Sequence, residues 1–425
     1  MVDRKLFPHD VAIAAILKNE GHYIKEWLDY HLLAGVDHFY LYDNDSADDY
    51  AEIIAPYVAA GLVTSIKLSG GSAQYAAYNF AVRDHRFHCR HMAFIDLDEF
   101  IFPRGTVRSI GEVVDEILAA HQASGVAVNW QLFGSNGNIN ADFSRGVLER
   151  FTRRAPTDWV VPIPKRDIPG GNAQVKTIAD PRRIAFVGNS HFPVYFVGNY
   201  SVNERGGRVD SYCNEPVTAE RIAINHYNVK SRAEHAIKVS RGRADKGTVT
   251  ASNAREGNCI NDAWFDIYDR NEVFDDSIIS YRAARAENFS IETEADRCRR
   301  MTHALTETLS AVAEGAASDL ETALTCRAAC SYLRGHSDDV RLKIFGDAAL
   351  AVVVKSLDGL TLSEAQLFIS ELPNLLASTS PVANELQLAA LQVVEQMMDF
   401  MREHDYWKDF ADLDHLRRLI KIFGK

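Results

Sequence analysis

The alternation of strand and helix patterns over the first hundred residues limits the fold more than any other feature of the chain. Residues 11–17 are an unbroken apolar run of strand length. Ile24, Trp27, Leu28, His31 and Leu32 then recur at helical spacing, and Gly35 ends that helix. Residues 36–42 read as a second strand closing in the polar turn Asp43-Asn-Asp-Ser46. A helix over 51–60 stops at Gly61, residues 62–68 form a third strand, and a helix over about 73–88 leads into the strand 92–95. This βαβα progression predicts an α/β domain whose mainly parallel sheet has helices on both faces. Ligands of such sheets bind beyond the carboxyl ends of the strands. Lys18-Asn-Glu20, Asp43-Asn-Asp45 and Asp96-Leu-Asp-Glu99 each follow a strand directly, so the polar groups are expected at one rim.

The texture changes to short strands, aromatics and Gly/Pro turns over about 125–230, and to Ala-, Leu- and Glu-rich helical patterns after about 280. With 425 residues available, this predicts two domains, an α/β domain over 1–280 and an all-helical domain over 281–425 with an accessory or interaction role. The net charge of -12 argues against a nucleic-acid partner, because phosphate neutralisation needs clustered Lys and Arg. No run approaches the roughly 20 apolar residues that span a bilayer, and no secretory signal opens the chain. The six cysteines include no Cys-x-x-Cys pair and read as buried thiols in a reducing compartment. A cytoplasmic location is the expectation, with peripheral contact at the inner face of the membrane as an extension of it.

The strongest local signal is Phe94-Ile-Asp-Leu-Asp-Glu-Phe100, where an apolar strand delivers Asp96 and Asp98 one residue apart. Hard divalent cations prefer such oxygen ligands and bridge them to substrate phosphates. A solvated acidic turn is the ordinary reading of a lone Asp-x-Asp. The apolar flanks here anchor three acids at a buried edge, and without a counter-charge they would repel, which favours a cation. In the segment Asn225-His-Tyr-Asn-Val-Lys-Ser231, His226 is suited to ligate Mn²⁺ and Lys230 to neutralise phosphate. A lone histidine is more often structural, so this pair gains its meaning from Asp96 and Asp98.

Taken in order, these segments resemble glycosyltransferase family 92 and related family-2-like transferases. The resemblance runs through Lys18-Asn-Glu-Gly-His-Tyr-Ile-Lys-Glu-Trp27, Tyr30-His31, Gly35-Val-Asp-His-Phe39 and Tyr42-Asp-Asn-Asp-Ser46. It continues in Gln74, Tyr78-Asn79, Ile95-Asp-Leu-Asp-Glu-Phe100, Trp130-Gln-Leu-Phe-Gly-Ser135, Val147-Leu-Glu-Arg150, Lys176-Thr-Ile178 and His226-Tyr-Asn-Val-Lys-Ser231. It covers roughly 11–245 and leaves the C-terminal third unmatched. The resemblance implies a GT-A fold, a nucleotide-diphosphate sugar donor (UDP-galactose by family habit), a glycan or lipid-linked glycan acceptor, and inversion at the anomeric carbon. It further implies Mn²⁺ (or Mg²⁺) held by Asp96, Asp98 and His226, with Lys230 facing the departing phosphate. Asn19, Glu20 and Asp43 would contact the donor's base or ribose, and Gln74 and Asn79 would reach it from the preceding helix. A helix N-cap, a turn and a solvated helix face are the structural alternatives for these five.

An inverting transfer needs a base for the acceptor hydroxyl. Glu149 is the nominal choice, with Asp158 and Asp167 as rivals and a strand-end salt bridge as the ordinary explanation. Trp130, Phe133 and Trp159 would offer flat faces to a sugar, although strand aromatics are usually core. The basic amphipathic terminus, Leu413, Leu416, Arg417, Arg418, Leu419, Ile420, Lys421, Phe423 and Lys425, suits either a membrane surface or packing on its own domain. A sugar-phosphate nucleotidyltransferase would show a Gly-rich basic stretch after the first strand, which is missing. A non-catalytic glycan-binding protein on a transferase scaffold is the remaining class.

Overall fold

A computed structural model describes residues 2–403 except 72, 164–167, 242–261, 288, 317, 338, 358 and 377–381. Strand β1 (His9–Leu17) is buried almost throughout. Its alternating side chains divide between two cores, as a pleat of period 2 requires. Val11, Ile13, Ala15 and Leu17 enter one core, and Ala12, Ala14 and Ile16 enter the other. Helix α1 (Gly21–Leu33) follows and ends at Gly35, whose φ of 98° suits glycine and whose Cβ would meet Ser109 Cβ at 2.6 Å. Strand β2 (His38–Asp43), helix α2 (Tyr50–Ala59), strand β3 (Val63–Lys67), helix α3 (Ala73–His85) and strand β4 (Cys89–Phe94) complete the alternation. The strands β1, β2, β3 and β4 pair in parallel, with Ala14 opposite both Tyr40 and Phe94. Helix α3 lays Ala73, Ala77 and Ala81 along one face, and these small side chains bring it close to β1.

Strand β5 (Glu99–Pro103), helix α4 (Ile110–His121) and strand β6 (Gly125–Leu132) extend the domain. Beyond helix α5 (Val147–Arg150), strand β7 (Val175–Ala179) inserts antiparallel between β4 and β6, so the sheet is mixed but mainly parallel. Strands β8 (Ser201–Val202) and β9 (Arg208–Val209) close one edge, giving the order β9-β8-β6-β7-β4-β1-β2-β3. Strand β10 (Ile222–His226) runs parallel to the end of β6 and antiparallel to β5. The parallel strands end together, and the three polar segments share that rim as expected.

Helices α6 (Arg232–Arg241), α7 (Asp262–Tyr268) and α8 (Ser277–Ala286) follow. Helix α8 straddles the expected boundary at 280, yet Ile278 and Tyr281 belong to the sheet's core. The helical region proper begins with α9 (Glu294–Ala313) and continues through α10 (Leu320–His336), α11 (Arg341–Lys355), α12 (Leu362–Leu376) and α13 (Ala383–Glu403). Its core incorporates Phe87 and Phe196 of the α/β part, and Arg86–Glu371 (3.1 Å) and Arg182–Glu321 (2.6 Å) bridge the junction. The amphipathic stretch 413–425 lies outside the described residues. No helix among those described is long and apolar enough to cross a membrane. Cys326 and Cys330 are buried free thiols on α10, and burial pushes both up to about 12.

Candidate active site

Helix α1 fixes the acid-bearing turn from one side. Trp27 Nε1 donates to Glu99 O (2.8 Å) and the Tyr30 hydroxyl donates to Ile101 O (2.8 Å). His31 Nε2 accepts from Ile101 N (3.2 Å), while its Nδ1 donates to Trp27 O (2.8 Å). These three side chains satisfy the outward backbone edge of β5, which a sheet would otherwise leave open. The inward edge pairs with β10, and that register sets His226 opposite Glu99. Tyr227 N donates to Asp98 O (2.8 Å) and Glu99 N to Asp96 O (3.1 Å), which shapes the turn.

Each acid at the turn has its own holder. Asp96 Oδ1 accepts from Gln74 Nε2 (2.8 Å) and Asp96 Oδ2 from Lys176 Nζ (3.0 Å). Asp98 Oδ2 accepts from Lys238 Nζ (2.6 Å), whose other protons go to Asn228 O (3.0 Å) and Asn228 Oδ1 (2.6 Å). Asp98 Oδ1 faces His226 Nε2 at 3.4 Å. Behind the ring, His226 Nδ1 faces Glu99 Oε1 at 3.9 Å, and among the described residues neither buried atom has a hydrogen-bond partner.

Burial opposes the charge on Asp98, but Lys238 and His226 outweigh it and hold the carboxyl well below its ordinary range. Burial likewise opposes charge on Asp96, and Lys176 overcomes it. Glu99 is pushed well above the ordinary range by burial, with Lys176 offsetting only part. Burial lowers His226, leaving a neutral ring with a lone pair for a ligand. The expectation of three acids without counter-charge is therefore corrected. Lys176 and Lys238 balance Asp96 and Asp98, and the cluster is near neutrality without a cation.

The chemistry of the donor set still accommodates one. Two donors about 2.1 Å from one ion and roughly at right angles stand about 3 Å apart. Asp98 Oδ1 and His226 Nε2 are close to that spacing. Among the described residues no three His, Cys, Asp or Glu side chains converge as a metal site. Asp96 is turned toward Gln74 and Lys176, so this chain would supply two ligands and phosphates or water the rest.

The other expected donor contacts divide. Gln74 reaches the site through Asp96. Lys230 (φ 52°) sets its ammonium 4.5 Å over the Tyr23 ring, and it lines a cavity of about 170 Å³ with Asn19 and Lys238. Asn19 (φ 53°) also stitches strand ends together, since its Oδ1 accepts from Ala47 N (2.7 Å). Buried Asp43 accepts from Ser46 N (2.9 Å) in its turn. Buried Glu20 starts α1 through its carbonyl, which accepts from Ile24 N (3.0 Å). Asn79 is occupied elsewhere, as its amide donates to Tyr75 O and Val187 O (both 2.7 Å) and accepts from Val187 N (2.9 Å).

Glu149 lies on α5, with Arg282 at 3.5 Å. It lines a second cavity of about 340 Å³ with Glu26 and Arg150. Asp167 lies outside the described residues. Trp130 and Phe133 are core. Lys176 and Lys238 had no reading as counter-ions in the sequence, and the only signal for them was the need of buried acids for cations.

Residues 11–251 match the sequence model of glycosyltransferase family 92. A glycosyltransferase family 92 protein of Ricinus communis is 29% identical over 148 residues, covering 35% of this chain and 27% of that protein. One of Oryza sativa subsp. japonica is 30% identical over 147 residues, covering 34% and 25%. The matched stretch thus spans about a quarter of these relatives' length. A structure of S. aureus TarS 1-349 in complex with UDP covers 86% of this chain and 91% of its own, at 12% identity and a TM-score of 0.29, too loose a likeness to bear on the site.

Proposed function

The chain belongs to glycosyltransferase family 92, and from that premise we propose that it moves a hexose, galactose in the simplest case, from a UDP-sugar to a glycan hydroxyl. The transfer proceeds with inversion and serves the building of a surface polysaccharide. The observation that carries this reading is the facing pair Asp98 Oδ1 and His226 Nε2 at the carboxyl rim, with lysines to either side.

Lys238 fixes Asp98 so that its second oxygen points at His226, and Glu99 sits 3.9 Å behind the ring. Lys176, Gln74 and Tyr78 hold Asp96 beside them. A divalent cation, Mn²⁺ or Mg²⁺, held by Asp98 and His226 would supply positive charge against the donor's diphosphate. Lys230, on the wall of the adjoining cavity, adds charge for the departing phosphate.

The acceptor's proton goes to Glu149. Of the acids lining the larger cavity, Glu26 accepts from Val147 N and Leu148 N, and Asp29 is tied to Lys25 and Tyr57. Glu149 keeps a half-exposed carboxylate.

One observation supports a second version. The lysines that already neutralise Asp96 and Asp98 would let the site handle the diphosphate without a metal. Release of nucleoside diphosphate from a panel of UDP- and GDP-sugars, measured with Mn²⁺, with Mg²⁺ and with EDTA, decides between them. Turnover with Mn²⁺ that EDTA abolishes supports the first version, and turnover that survives EDTA supports the second. A folded protein that binds nucleotide yet turns over no donor would instead be a carbohydrate-binding protein on a transferase scaffold.

A further inference from the structure

The loop between β6 and α5 leaves the rim directly after Leu132, the residue that pairs with His226. It carries two large apolar side chains into solvent, Ile139 at 70% exposure and Phe143 at 41%. Phe143 is not loosely placed. Its ring stacks on His22 of α1 (centroids 3.9 Å apart, planes 12° apart) and meets Tyr23 edge-on at 6.0 Å.

His22, Tyr23 and Phe143 are the residues common to the two cavities described above. On one side the ledge opens toward Lys230 and Lys238, and through Lys238 to Asp98. On the other it opens into the chamber of about 340 Å³ rimmed by Glu26, Arg145 and Glu149. That chamber is within the size range of small-ligand sites, about 300–1,000 Å³. Tyr23 is held at the joint, with its hydroxyl donating to Glu234 (3.0 Å) and the Lys230 ammonium on its face.

The half-exposed Phe143 ring, backed by His22 and ringed by charged hydrogen-bonding groups, suits a ligand with one C–H face and an edge of hydroxyls. A pyranose has that chemistry. A purely apolar ligand would strand the charged rim, which carries both signs. We propose that the Phe143 ring, backed on one face by His22, is the platform on which the acceptor pyranose stacks. His22 and Phe143 are thus positioning residues for the acceptor. This rests on the transferase reading and adds the acceptor side to it.

Saturation-transfer NMR with methyl galactopyranoside, glucopyranoside and mannopyranoside, on protein loaded with UDP and diamagnetic Mg²⁺, tests the platform. Saturation is expected on the ring protons of one sugar face. Phe143→Ala and, independently, His22→Ala should weaken the binding about 3- to 10-fold, the worth of one stacked contact. Phe143→Trp should restore it, and calorimetric UDP affinity should stay level in all variants. Pyranoside binding that is unchanged in both alanine variants would overturn the platform, as would UDP-loaded wild type that binds none of the three. Wild type that fails to bind UDP itself would bring down the transferase reading, and the platform with it.

Discussion

His31 offers a sharp test of how α1 holds the acid turn, because both of its ring nitrogens are committed to backbone. Nδ1 donates to Trp27 O and Nε2 accepts from Ile101 N, so the ring must be neutral when folded. Burial pushes it down from 6.5 to about 3. In His31→Phe the ring contacts with Phe100 and Trp27 persist. The buried Ile101 N–H loses its acceptor, a loss of about 1–3 kcal/mol near neutral pH.

The wild-type ring contributes fully above about pH 6.5, and its contribution is lost as pH falls toward the folded value. At about pH 5 the unfolded ring is protonated and the folded one is not, a difference of about 2 kcal/mol at 1.36 kcal/mol per unit. Urea unfolding of both proteins, followed by tryptophan fluorescence, should therefore show the variant about 2 kcal/mol weaker at about pH 7.5 and nearly level at about pH 5. Taking the difference between the two proteins cancels every other titrating group. A stability gap that is constant with pH would refute the assignment of His31 as a neutral clamp.

Lys238→Met should leave the fold intact and weaken Mn²⁺ binding about 10- to 100-fold, because Asp98 loses the group that orients it; Mn²⁺ titration by electron paramagnetic resonance measures this, and unchanged affinity would remove Lys238 from the site. Arg150 makes two bonds to Glu234 (2.8 and 2.9 Å) with both side chains buried. Arg150→Met should cost about 3–5 kcal/mol in urea unfolding, and Arg150→Met with Glu234→Gln should recover about half of that. A double variant no better than the single would show that the loss does not come from a stranded carboxylate.

The α/β frame was legible because β1 and β2 are buried on both faces and the intervening helices carry their apolar stripes at the right spacing. The rim was legible for the same reason, since parallel strands must all end on one side. Trp27, Tyr30 and His31 were visible as a helix face, but their purpose depends on a strand about 70 residues away. The counter-ions were hidden more deeply. Lys176 and Lys238 lie 80 and 140 residues from the acids they hold, and no local pattern links them. Asn79 belonged to a recognisable motif, yet its amide closes a contact with Val187, 108 residues on. The change in composition near 280 anticipated the helical region, while α8 shows that packing on the sheet extends past it. The sequence points to Trp130, Phe133 and Trp159 as faces for a sugar rather than to Phe143. Nothing in a short Asn- and Gly-containing loop marks an aromatic ring as stacked and exposed.

The proposed transfer depends most on Asp98 and His226 acting together on a nucleotide's diphosphate. Calorimetric titration of UDP, with and without Mn²⁺, against wild type, Asp98→Ala and His226→Ala tests that directly. The account expects UDP to bind wild type much more tightly with Mn²⁺ than without it, and expects each substitution to remove that difference while the protein stays folded. Metal-enhanced binding that survives both substitutions, or no nucleotide binding by folded wild type, would contradict it.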